Sequence, residues 1–98
     1  MSQQHTFSEA SPKFELGRVV ITRNALDTLS TEDVQRSLAR HASGDWGDVD
    51  PHDRQANELA LVDGSRIFSV YHARDGQKFW VITEADRSST CVLLPEDY

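Results

Sequence analysis

Residues able to do chemistry gather in two stretches of this 98-residue chain. The first, HASGDWGDVDPHD at 41–53, sets His41, His52, Asp45, Asp48, Asp50 and Asp53 around Trp46. Oxygen and imidazole donors at this density invite a metal. Their spacing fits neither an EF-hand loop, which alternates ligands around a glycine, nor a zinc-binding helix pair. Turn and cap roles account for the aspartates instead, so no metal and no cofactor is expected. The second stretch, TEADRSST at 83–90, offers Glu84, Asp86, Arg87, Ser88 and Thr90 around one turn. If a helix end carrying His41 lay over that turn, His41, Glu84 and Arg87 could serve as acid, base and phosphate clamp for metal-independent RNA cleavage. The negative end of the helix would raise the pKa of His41. The plainer account makes Asp86 and Ser88 turn-formers and pairs Arg87 with Glu84 or a helix carbonyl.

Two further residues need a role. Cys91 lies among apolar strand neighbours with no base near it in sequence, which suits a small buried hydrophobe better than a nucleophile. Trp46, between glycines and aspartates, is either a plug that closes a small core or an exposed anchor for a partner, with the nearby acids steering a basic surface towards it.

Elements that would position these residues follow from periodicity. KFELGRVVIT at 13–22 reads as a strand with Gly17 as a bulge. STEDVQRSLARHA at 30–42 reads as a helix capped by Ser30, carrying Val34, Leu38 and Ala42 as an apolar stripe and ended by Gly44. A second helix starts at Asp50 with Pro51 in its first turn, turns Ala56, Leu59, Ala60 and Val62 inward, and stops at Gly64. From Ser65 the period becomes two. A two-residue Asp75–Gly76 turn would set Val70 opposite Val81 and His72 opposite Phe79. A four-residue loop would then pair Thr83 with Thr90 and Val81 with Val92. In that register Tyr71 and Trp80 share a second, partly apolar face, which is expected to meet a partner or a second copy.

These readings define an α+β fold: an N-terminal strand, two short helices and a three-stranded antiparallel meander. Residues 1–12 are expected to be a disordered tail and 13–98 a single domain. A lone cysteine excludes an internal disulfide and suits a reducing cytoplasm; no secretory signal or membrane span is expected. The net charge of −6 is concentrated in Asp45, Asp48, Asp50, Asp53, Glu58 and Asp63, opposed locally by Arg54 alone. Such a surface repels phosphate backbones, so nucleic acid is an unfavoured partner.

The blocks FELGRVVIT, LARHASGDWGDVD, NELAL and WVITEADRSSTCVLLPEDY together resemble a family of small bacterial proteins carried on plasmids and other mobile elements, labelled plasmid-related protein. The resemblance spans residues 14–98. Some members carry the label type I restriction endonuclease subunit M, but this chain has no Asn-Pro-Pro-Tyr-type motif and no room for a methyltransferase domain. The resemblance therefore implies a setting, with a host or element-encoded protein as partner, and no chemistry. The expected function is an acidic accessory protein that binds through Asp45, Trp46 and Asp48 and through Tyr71 and Trp80, one version being a decoy that mimics nucleic acid. The alternative is the small RNase built on His41, Glu84 and Arg87. A structural homodimer is a third reading.

Overall fold

The structure, a computed structural model, describes residues 12–98. The expectation for the tail falls, Pro12 aside, outside the described residues. The chain runs through strand β1 (Arg18–Ile21), helices α1 (Arg23–Thr28), α2 (Thr31–Ala42) and α3 (Pro51–Asp63), then strands β2 (Ile67–His72), β3 (Lys78–Thr83) and β4 (Ser89–Leu93), and a 3-10 turn at Pro95–Asp97. The α+β class holds, with two corrections. Among the described residues there are three α-helices, and the meander is one side of a four-stranded mixed sheet ordered β1-β4-β3-β2. β1 pairs β4 in parallel, Val19 beside Thr90 and Ile21 beside Val92.

Local signals explain most boundaries. The Ser30 hydroxyl accepts from the Asp33 N–H and the Asp50 carboxylate from the Asp53 N–H, so each satisfies a helix donor that has no partner within its helix. Gly64 ends α3 with φ +80°, a conformation costly for any residue with a Cβ. The unforeseen α1 starts at Thr22, whose hydroxyl accepts from the Ala25 N–H, and it buries Ala25 completely.

The β2–β3 register differs by one residue from the expected one. Val70 lies opposite Trp80 and Tyr71 opposite Phe79. The connection is a three-residue loop, Arg74–Gly76, in which only Gly76 takes positive φ (+95°). A type I′ turn would also have forced Asp75 into that region, and a type I turn followed by a glycine bulge avoids this cost. The slip moves the side chains of β2 to the opposite faces. Tyr71 therefore joins Phe79, Val81 and Val92 beneath α1 and α2, in a core with Ala25, Leu29 and Leu94. Trp80 stays on the other face with Phe68, so Tyr71 and Trp80 do not form one surface. The β3–β4 register is the expected one, Thr83 beside Thr90 and Val81 beside Val92.

α3 turns inward at Ala60 as expected but not at Ala56, Leu59 or Val62. Its buried residues are Asn57 and Ala60, while Leu59 is 59% and Val62 88% exposed. Asn57 replaces a neighbouring strand along β2: its amide accepts from the Phe68 N–H (3.1 Å) and donates to the Phe68 carbonyl (2.7 Å). Among the described residues no helix is long and apolar enough to cross a membrane.

Candidate functional site

The acidic loop between α2 and α3 is fastened from several sides. Trp46 is 1% exposed and packs with Val49, Ala60, Ile67 and Val70, its indole N–H donating to Glu58 Oε2 at 2.8 Å. It is the plug, and this burial removes it from the partner-binding set. On either side of Gly47 the backbone adds a short ladder to β2: Val70 N–H donates to the Trp46 carbonyl and Asp48 N–H to the Val70 carbonyl. Gly47 has φ +74°, and a Cβ there would collide with the Val70 carbonyl. The Tyr71 hydroxyl donates to the Asp45 carbonyl at 2.6 Å, and the Arg40 guanidinium lies 4.7 Å from the centre of the Tyr71 ring. Burial pushes the Tyr71 phenol up, so it remains a donor at neutral pH.

Each acid of the loop has its own environment. The Arg40 guanidinium bonded to Asp45 at 2.7 and 3.2 Å holds that carboxyl below the usual range. Asp48, 69% exposed, lies 2.8 Å from His72 Nδ1. Asp50 caps α3 and remains exposed. His52 is exposed on the first turn of α3. Among the described residues, no three or more His, Cys, Asp or Glu side chains come together in a way that could hold a metal.

The residues of the RNase reading end in other roles. His41 is fully buried, with Nδ1 2.6 Å from Ser69 Oγ and Nε2 2.9 Å from Thr83 Oγ1. Thr83 continues to Thr90 at 2.6 Å, and Thr90 donates to the Leu16 carbonyl. Phe14 and Trp46 meet the imidazole in T-shaped contacts, with ring centres 5.2 and 6.0 Å away. Burial, aided by the Arg87 charge, pushes His41 down to about 4. The expected rise from the helix end is outweighed, since burial strips the charged ring of its solvation. Arg87 sits at φ +61° and donates to the carbonyls of Ser65 (2.6 Å) and Ala60 (2.9 Å), tying the β3–β4 turn to the end of α3. Glu84 is exposed on that turn. Imidazole, carboxylate and guanidinium therefore do not converge on any point a substrate could reach.

Trp80 is half-buried in a cavity of about 300 Å³ with Asp53, Arg66, Phe68, Ile82 and Tyr98. Its ring meets Phe68 and Tyr98 edge to face at 5.2 and 5.6 Å, and among the described residues its indole N–H has no acceptor. Sequence reasoning missed Asn57 and Asp33, the latter bonded by the backbone and guanidinium of Arg74. Asn57 carried a signal in the sequence, a polar residue three and four positions before Ala60 and Leu61 of its own helix, whereas Asp33 stands in a first turn where an acid already has a helix-end role.

Comparison with protein-family models, with curated proteins and with solved structures gave no match for this chain.

Proposed function

We propose that this chain is a non-catalytic protein-interaction module that presents a rigid acidic surface. The observation that carries this reading is the loop itself. Asp48 and Asp50 project to solvent from a backbone fixed by the buried Trp46, by the Val70 ladder and by the start of α3. A surface whose charges are held in place avoids the ordering cost that weakens flexible binders. Glu58 and Asp63 add exposed negative charge along α3, beside the exposed Leu59 and Val62. The resulting mixture of acids and apolar side chains suits a basic protein surface, including one that otherwise takes a nucleic-acid backbone. Its resemblance to the plasmid-related proteins supports an accessory role on a mobile element, with a host or element-encoded protein as the target.

The test is affinity capture from host lysate with tagged wild type and with an Asp48→Asn, Asp50→Asn variant. Asparagine caps helices about as well as aspartate, so the variant should keep its fold. One near-stoichiometric protein that the variant loses, and that duplex DNA displaces, is the expected result. Equal recovery by both chains would remove the acidic loop as the binding site. For the RNase alternative, both ring nitrogens of His41 are already bonded inside the core.

A further inference from the structure

The two edges of the sheet are treated differently. Along β2 the outward groups of Phe68 and Val70 are all bonded, by Asn57, Trp46 and Asp48. Along β1 the alternation is set by Arg18 and Thr22, whose N–H groups donate to Ser88 and Val92 on the β4 side. Residues 19 and 21 therefore turn their backbone groups outward, and among the described residues nothing meets them. Val19 is 45% and Val20 39% exposed on this edge. An unpaired, β-branched edge is a template for another strand.

The geometry points to a second copy of this chain as the occupant, with the β1 strands paired antiparallel about a two-fold axis through Val20. Directly opposed residues must point to the same face, and Gly17 leaves the strand at φ +66°, so Val20 is the centre that uses all the outward groups. Val19 and Ile21 of each copy then exchange backbone hydrogen bonds with Ile21 and Val19 of the other. On the helix side, Val19 of the second copy borders a cavity of about 280 Å³ lined by Ile21, Leu26, Leu29, Val34 and Leu38.

Charge complementarity supports this pairing. Arg18 has no acidic partner among the described residues, and the register sets it opposite Thr22 of the second copy. The Thr22 hydroxyl donates to Asp97 Oδ2 at 2.6 Å, and Asn24 donates to Asp97 Oδ1 at 2.8 Å. Each Arg18 therefore arrives beside the Asp97 carboxylate of the other chain, making two symmetric ion pairs. The surface involved does not overlap the acidic loop, so this inference stands apart from the interaction reading.

Sedimentation of the full chain from about 1 μM to about 1 mM should show reversible monomer–dimer exchange. Val19→Pro removes an outward N–H that β4 does not use, and should weaken the dimer about tenfold or more with an unchanged circular dichroism spectrum. A Val20→Cys, Cys91→Ala chain should cross-link on mild oxidation, because opposed residues in such a pair sit about 4.5 Å apart, within disulfide range. A monomer at every concentration, or a dimer that Val19→Pro leaves intact and that does not cross-link at residue 20, would overturn the proposal.

Discussion

His41 is held neutral by its surroundings, and this has a consequence for stability. Its folded pKa of about 4 lies below the ordinary value of 6.5. Between those values the unfolded chain binds a proton that the folded chain refuses, so stability must fall as the pH drops from 6.5 towards 4 and level off below. The shift corresponds to roughly 3 kcal/mol at full extent. The carboxylates held down by partners, Asp45 and Asp97 among them, contribute stability that is lost only at lower pH, around and below 3.8. Urea midpoints at pH 7 and pH 5 should therefore differ for the wild type and converge for His41→Gln. An undiminished pH 5 loss in the variant would assign the effect to another group. Arg87 belongs to the same scale. A residue in the left-handed region is strained, and here the strain is offset by carbonyl contacts that close the end of α3.

At the scale of elements, the loop and α3 act as the cover of β2. Gly47→Ala should cost about 2–4 kcal/mol, through a positive φ and a collision with Val70, and should release the loop as well. Near-native thermal stability in that variant would contradict the close approach. Asn57→Leu leaves the Phe68 N–H and carbonyl buried without partners and should cost about 1–3 kcal/mol, read as a lower denaturation midpoint. Caps and the β3–β4 register were legible from sequence because they depend on neighbours: Ser30, Asp50, Pro51 and Gly64 act within their own turns. The β2 register was not, because Asp-Gly serves two loop types and the choice turns on whether Asp75 must enter positive φ. The inward face of α3 was read correctly only at Ala60, because Asn57 takes a position that periodicity reserves for an aliphatic residue. The site residues divide along the same line. Asp50 and Asp53 could be placed from cap chemistry, whereas the pairing of Asp48 with His72, the burial of Trp46 and the enclosure of His41 depend on β2, which only the tertiary fold brings to them.

At the scale of the whole molecule, the −6 charge and its concentration on the loop and α3 make long-range attraction the first event in meeting a basic partner. Raising salt from about 50 to about 500 mM shortens the screening length severalfold and should slow association more than it speeds dissociation. An association rate indifferent to salt would argue for the exposed Leu59 and Val62 as the main contacts instead. The Asn57 clamp and the Gly47 ladder have a further consequence for assembly. A sheet with two open edges can polymerise without limit, copy upon copy, into a fibre. Here the middle of one edge, at Phe68 and Val70, is already covered by the chain's own loop and helix, so a strand added at β1 leaves no matching open edge to follow it. Growth stops at a closed pair, and the same contacts that hold the acidic loop in place act as the chain's defence against amyloid-like extension.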